Sequence, residues 1–425
     1  MRSVMITLAF IAAIATATIA TPIASAAEMT LTESQLVELA IASNPQVRAA
    51  RARWNAALHS ITQTVAPNDP IFTYTNSDSP KNPFGRAALR EYNVSESFQF
   101  PGKALFQRDQ ATRNAEIAHL ALAATIRDIR AAVEAGYFQL LLDSAVSGIN
   151  AENIANLEQV LKVTQVAYSA SKVTQTDFIS AEFDLAVARQ LQLQYRTAIA
   201  NDETVLNQLM YRPQGSPLPV ERTIRLEPMR IPLQDLVDRA IHTRQEILQA
   251  ALAEQNSDTA IKLAKMEYLP DFTVAYQFDN YLVASFAPRL SQPQDHSLVV
   301  GFNVPIFFWL KQNEDVVRAR ANLEAARNDF RSIESQTAAV VTSLYRSAQL
   351  GYETAILYRD SLTPLARQNF QVALTAYQSG KIDFVTLAGT LRRSYDARTS
   401  YLQSANQFLA GQISLEQAIG SPLPQ

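Results

Sequence analysis

At 425 residues, with 37 Lys+Arg against 40 Asp+Glu and no basic run, the chain gives no reason to expect a nucleic-acid partner. It has no cysteine, which excludes disulfides, thiol catalysis, thiolate metal sites and a lipid anchor on an N-terminal cysteine. Glycine is scarce at 11 residues while alanine, glutamine and leucine abound, a balance of long packed helices rather than of several globular domains.

Residues 1–26 read as a signal peptide. Arg2 is the only charge before Glu28, the stretch from Val4 to Ala24 is apolar or small, and Ala24-Ser25-Ala26 supplies the small residues that signal peptidase needs. Cleavage is expected after Ala26 or one residue later. The alternative, a transmembrane anchor, is poorly served by so many threonines and alanines. Loss of Arg2 leaves 36 Lys+Arg against 40 Asp+Glu, a net charge of −4. Beyond this segment nothing approaches the roughly 20 apolar residues of a spanning helix, so entry into a membrane requires strands.

The remainder repeats at a spacing of about 200 residues. Leu36-Val37 and Ala40-Ile41 recur as Leu236-Val237 and Ala240-Ile241, and Pro70-Ile71-Phe72-Thr73 as Pro270-Asp271-Phe272-Thr273. Ala167-Tyr168, Lys172 and Ala188-Arg189 match Ala376-Tyr377, Lys381 and Ala397-Arg398, and each half closes on Gly-Ser-Pro-Leu-Pro. The expected repeats are 27–225 and 226–425, meeting in the proline-rich segment from Arg212 to Pro232.

Each half opens on a helix. Thr32 can cap the first with Gln35 at N3, and Leu31 can staple onto Leu36; in the second, Ile231 and Leu236 keep the staple while Pro232 replaces the threonine. Two strands per half follow, at about 70–78 and 91–100, then about 271–281 and 296–305. Tyr92, Val94, Phe98 and Phe100 alternate with Asn93, Ser95, Ser97 and Gln99. Phe272, Val274, Tyr276 and Phe278 alternate with Thr273, Ala275, Gln277 and Asp279, and Leu298, Val300, Phe302 and Val304 with Ser297, Val299, Gly301 and Asn303. Period-two patterning rich in aromatics is the mark of a half-buried strand. The membrane-facing set is therefore Tyr92, Val94, Phe98, Phe272, Val274, Tyr276, Leu298, Val300 and Phe302, with Glu96 tolerated near the inner end of the strand. The turn-rich stretches Ser79 to Pro83 and Pro288 to Pro293 read as exposed loops. Phe307, Phe308 and Trp309, just after the last strand, suit an interfacial anchor.

After the strands each half turns helical for a long way, with hairpins expected at about 102–211 and 310–420. No proline occurs between Pro101 and Pro213, and only Pro364 interrupts the second stretch. The returning helices carry a 3-4 apolar spacing, through Ala181, Leu185 and Ala188 to Leu206 in one half and through Leu387 and Leu391 to Leu415 and Ile419 in the other, a coiled-coil seam with polar interruptions. Four amphipathic strands cannot stand alone in a bilayer, because two edges would expose unpaired N–H and C=O groups to hydrocarbon. Cyclic symmetry removes the edges; three copies would supply 12 strands and two copies eight, so counting alone does not choose.

The opening from Leu31 to Ala40 with Asn44-Pro45, the duplication, the strand exit from Gln99 to Lys103 and the turns at Tyr168–Phe178 and Tyr377–Leu387 together resemble the TolC-like outer-membrane efflux proteins, over essentially the whole mature chain. The resemblance implies a mainly α fold with a small β part, assembled as a homotrimer whose 12-stranded β-barrel in the outer membrane continues into a periplasmic α-helical barrel. It implies outer-membrane lipid, a periplasmic adaptor protein and an inner-membrane pump as partners, no cofactor, and export through a passive conduit. Hairpin tips in that family carry a Tyr, a Gly three residues on and an Asp six beyond that. Here the first tip has Tyr168, Ser171 and Asp177, and the second Tyr377, Gly380 and Thr386. By resemblance Asp177 and Tyr377 latch the tunnel mouth, the family's acidic ring is in doubt at Thr386 and Gly389, and Lys172 and Lys381 are adaptor-contact candidates.

Catalytic motifs are missing: there is no phosphate-loop, His-Glu-x-x-His or Gly-x-Ser-x-Gly pattern, and no enzymatic activity is expected. Glu116 and His119 share a helix face, but no second such pair accompanies them, so no metal site is expected either. The competing reading is a soluble periplasmic coiled-coil scaffold or adaptor, which explains the leader and the rods but not the aromatic-faced strands.

Overall fold

The computed structural model describes residues 30–78, 87–220, 226–281 and 294–423. The expected signal peptide and both expected strand-connecting loops lie outside the described residues.

Helices α1 (Glu33–Ser43) and α2 (Pro45–Val65) open the first half. Thr32 caps α1 through a reciprocal box with Gln35. The expected single helix is in fact two. Asn44, extended at ψ 127°, breaks the rod, caps α2 through a 2.8 Å bond to the Gln46 N–H, and places Pro45 at the first helical position, where its missing N–H costs nothing. Strands β1 (Ile71–Asp78) and β2 (Ala87–Phe98) lead through Gly102 into α3 (Lys103–Ser169), whose 67 residues extend about 100 Å. Helix α4 (Gln175–Leu209) returns along it. The second half repeats this with α5 (Leu233–Thr243), α6 (Gln245–Met266), β3 (Phe272–Tyr281), β4 (Gln294–Phe302), α7 (Gln312–Leu357), α8 (Thr363–Gln378) and α9 (Phe384–Ile419). Between α7 and α8 a π turn at Tyr358–Leu362 absorbs Pro364, which has no N–H to give and would collide with the carbonyl of Asp360 in a continuous α-helix.

The four strands form one antiparallel sheet in the order β1-β2-β3-β4, with β1 and β4 as edges. Below it α4 packs on α3 and α9 on α7 and α8, while α3 against α9 joins the two hairpins. Within the second hairpin α7 and α9 pack tightly where residues are small: a Cβ on Gly411 would lie 2.9 Å from that of Ala348, and one on Gly351 3.0 Å from the Phe408 backbone nitrogen. The seam residues Ala181, Leu185, Ala188 and Leu206 of α4, and Leu387, Leu391, Phe408, Leu415 and Ile419 of α9, are buried as their spacing predicts. Its polar interruptions have partners. Gln192 takes a bond from Asn150 at 2.8 Å and gives one to Ser147, Arg398 pairs with Glu152 at 2.6 Å, and the Tyr195 and Tyr395 hydroxyls meet at 3.0 Å across the two hairpins. No helix among the described residues is long and apolar enough to cross a membrane.

Candidate functional site

The sheet is a ladder of rungs with two unlike faces. One carries, rung by rung from the helix end, Phe98-Phe272-Phe302, then Glu96-Val274-Val300, then Phe72-Val94-Tyr276-Leu298, then Tyr74-Tyr92-Phe278-His296. The last rung is continuous, with ring centroids 5.1 Å apart for Tyr74–Tyr92, 5.9 Å for Tyr92–Phe278 and 4.9 Å for Phe278–His296. Aromatic rows thus bracket a band rich in aliphatic residues, and the six residue steps from Phe98 to Tyr92 span about 20 Å along the strand. Glu96 sits one rung from the helix end. This face is open, with Leu298 71% and Val300 63% exposed, whereas on the opposite face Ala275 is only 7% exposed. That opposite face carries Asn93, Ser95, Thr273 and Gln277.

Four of the expected strand bounds shift by two residues or more. β2 starts at Ala87 and stops at Phe98, while β4 starts at Gln294 and stops at Phe302. Phe100, Asn303 and Val304 fall outside the strands. Asn303 is instead a joint residue: its side-chain oxygen accepts the Asp271 N–H at 2.6 Å. Phe307, Phe308 and Trp309 form an exposed aromatic cluster at the strand–helix junction, and Tyr268, which packs on Phe308, hydrogen-bonds Asn313.

That junction holds a feature the sequence does not advertise. Lys103, at the start of α3, has a side chain 3% exposed and reaches Asp271 at 2.9 Å and Glu267 at 3.3 Å. Asp271 also accepts the Phe100 N–H at 2.8 Å. One ammonium from the first repeat thereby locks the passage from α6 into β3 of the second.

At the far end both hairpins turn in the same way. Ser171 and Lys172 N–H groups bond the Tyr168 and Ala167 carbonyls, and Gly380 and Lys381 repeat this on Tyr377 and Ala376. Ser171 adopts φ 57° where its counterpart Gly380 has φ 74°, a left-handed turn that costs a side chain about 1 kcal/mol. Lys172 and Lys381 are exposed beside the two turns. Asp177 completes a capping box at the start of α4, its Oδ2 accepting the Thr174 N–H at 3.0 Å and hydroxyl at 2.8 Å. In the second tip the residues are exchanged: Asp383 is the N-cap and accepts the Thr386 N–H at 2.8 Å. A carboxylate is therefore kept at each tip, three residues earlier in the second, which motif matching at Thr386 overlooks. The Tyr377 ring is buried and its hydroxyl lies 3.2 Å from that of Thr164. Within one chain Asp177 and Tyr377 thus have separate partners. Among the described residues no group of three His, Asp or Glu side chains is arranged to hold a metal, and the His119 ring lies tilted against Trp54, centroids 4.8 Å apart.

A family model described as outer membrane efflux protein matches residues 36–210 and 236–421, most of both halves. The chain belongs to this family. Two curated relatives are the cobalt-zinc-cadmium resistance protein CzcC of Cupriavidus metallidurans and the outer membrane protein TolC of Vibrio cholerae. CzcC is 20% identical over 394 residues, covering 92% of this chain and 90% of that protein. TolC is 23% identical over 416 residues, covering 89% and 88%. Among solved structures, CusC superposes with a TM-score of 0.78 at 17% identity over 92% of each chain, a likeness of fold. This efflux protein resides in the outer membrane and extends into the periplasm.

Between the two halves of the efflux protein, three carboxyls converge: Glu33 from α1, Glu134 from α3 and Glu416 from α9, along a groove of about 850 Å³ that Met229, Ile231 and Leu236 also line. Burial first, then the charges of Glu33 and Glu416, raise the Glu134 pKa from 4.5 to about 7, against the pull of Arg130. A carboxyl that holds its proton more tightly folded than unfolded contributes most at low pH, and that contribution drains away as pH rises from about 4.5 to 7. Replacing Glu134 with Gln should therefore stabilise the protein at pH 8 by about 2 kcal/mol, allowing for water that reaches the carboxyl, and do little at pH 4. Urea unfolding of both proteins at the two pH values measures this; equal shifts at both would mean that Glu134 ionises freely.

Proposed function

We propose that three copies close their sheets edge to edge into a 12-stranded barrel set on a helical tunnel, and that this trimer is the outer-membrane conduit of a tripartite efflux or secretion system. The observation that carries the reading is the sheet itself. It has four strands, two unpaired edges and an exposed apolar face bracketed by aromatic rows. In hydrocarbon each unpaired edge group costs several kcal/mol, and four strands are too few to close on themselves. The test is native mass measurement in detergent: three chains are expected, and a stable monomer without detergent would favour the soluble scaffold instead.

Cargo passes through such a conduit by diffusion, with the inner-membrane pump selecting it and a periplasmic adaptor docking at the hairpin tips. Lys172 and Lys381 are the proposed adaptor contacts. Tyr168, Asp177, Tyr377, Gly380 and Thr386 would line the narrow mouth, with Asp383 adding the carboxylate that Thr386 lacks. The capping box uses only Oδ2 of Asp177, which leaves Oδ1 to accept a bond from a neighbouring subunit. The Tyr377 hydroxyl would have to exchange Thr164 for such a latch. Asp177→Asn and Tyr377→Phe should then each raise single-channel conductance in planar bilayers, the double change adding little because either breaks the same contact. Unchanged conductance in both would leave Asp177 as a helix cap alone.

A further inference from the structure

One rung beyond the outer aromatic row, on the same open face, lie Asn76, Arg90, Asn280 and Gln294, paired across all four strands. The rung directly between these two, on the polar face, is Thr75, Glu91, Asp279 and Asp295. The outer end of the sheet is therefore sorted by sign: three carboxylates point to the polar side, while the open side carries a guanidinium among three carboxamides. Arg90 is exposed and forms no ion pair among the described residues. Asn280 contributes a buried Oδ1 that has no hydrogen-bond partner.

We propose that this rung binds the phosphate-bearing headgroup of an outer-leaflet glycolipid. The inference rests on the reading that the aromatic-bracketed face meets lipid. Aromatic rings sit at the level where hydrocarbon gives way to headgroups, and two further residues of strand carry Arg90 about 7 Å past them, into the headgroup layer itself. There a guanidinium can grip a phosphate with two parallel hydrogen bonds, and carboxamide N–H groups beside it can serve the remaining oxygens. A zwitterionic lipid would bring its own cation to Arg90, whereas a phosphorylated glycolipid brings net negative charge. Segregating every carboxylate of these rungs to the other face removes the repulsion such a lipid would feel.

The test compares the full-length protein in phosphatidylcholine vesicles carrying bisphosphorylated lipid A, the same lipid dephosphorylated, or inorganic phosphate in solution, with bound glycolipid read by native mass spectrometry after extraction. Retention of the bisphosphorylated lipid alone is expected, weakened about tenfold by Arg90→Gln and less by Arg90→Lys, which keeps the charge but not the paired bonds. Arg331→Gln on the exposed face of α7 should leave it unchanged. Equal retention of the dephosphorylated lipid, competition by free phosphate at similar concentration, or an Arg90→Gln protein that retains the lipid as the parent does would each overturn the proposal. A protein that inserts in vesicles yet ignores the phosphate refutes this inference alone; one that does not insert at all refutes the channel reading with it.

Discussion

Lys103→Met should destabilise the protein by about 3 kcal/mol and loosen the joint between sheet and rods. The ammonium is buried while its partners Asp271 and Glu267 are 36% and 44% exposed, so the lysine has given up its hydration for these two carboxylates. Removing one partner of such a set leaves the others facing each other as like charges, which typically costs 3–5 kcal/mol in a closed site; the half-exposed carboxylates put this case at the low end, about 3 kcal/mol. Asp271 also holds the Phe100 N–H, and the Asp271 N–H is in turn held by Asn303, so a shift at Asp271 reaches β2, β3 and the end of β4 together. Urea unfolding in detergent measures the loss, and limited proteolysis between Phe100 and Lys103 reports where it falls. Adding Asp271→Asn to Lys103→Met should recover part of the stability by removing the repulsion. If the double variant is weaker than the single by the full cost of Asp271→Asn, the three side chains act independently and the clamp is not a unit.

What the sequence made legible is whatever depends on neighbours within a turn or on alternation. The Thr32–Gln35 box, the two faces of β2, β3 and β4, and the buried seams of α4 and α9 each follow from spacings of two, three or four residues. The breaks were partly visible too: Asn44-Pro45 is a stop and a start in two letters, and Pro364 forecast an interruption, though not that a π turn would absorb it. Contacts across long separations left no local sign. Nothing near Lys103 in sequence signals that residues 164 and 168 positions later will bury it. Glu33, Glu134 and Glu416 look like three ordinary surface acids until α1, α3 and α9 meet. At the tips, motif positions misled for a simpler reason. An N-cap and its N3 partner can exchange a carboxylate and a hydroxyl without changing the box, so Asp383 performs in the second turn what Asp177 performs in the first.

The largest effect is expected where charge meets hydrocarbon. Val274 and Val300 are paired neighbours one rung in from the phenylalanine row at the helix end, with Glu96 opposite Val274 on the same rung. If this face meets lipid, arginine at Val300, which Val274 separates from Glu96, must place a guanidinium in hydrocarbon, which costs up to about 2–4 kcal/mol per chain in barrels, whereas arginine at Val274 would face the Glu96 carboxylate directly. In a closed trimer the penalty recurs at every copy, so Val300→Arg should reduce folded trimer recovered from membranes far more than a single-chain figure suggests. Gln277→Arg supplies the control. It lies on the polar face, pairs with Ser297 and Asn93, and donates to Asp279 at 3.0 Å, so an arginine there gains a carboxylate partner. Thr273→Arg is a poorer control, because the Thr273 hydroxyl lies 3.3 Å from that of Ser97. Heat-modifiable mobility of the trimer in detergent gels, with urea unfolding in lipid vesicles, separates the two faces. Val300→Arg and Gln277→Arg proteins equally stable in both assays would mean that the aromatic-bracketed face does not meet lipid, and the barrel would have to be given up along with it.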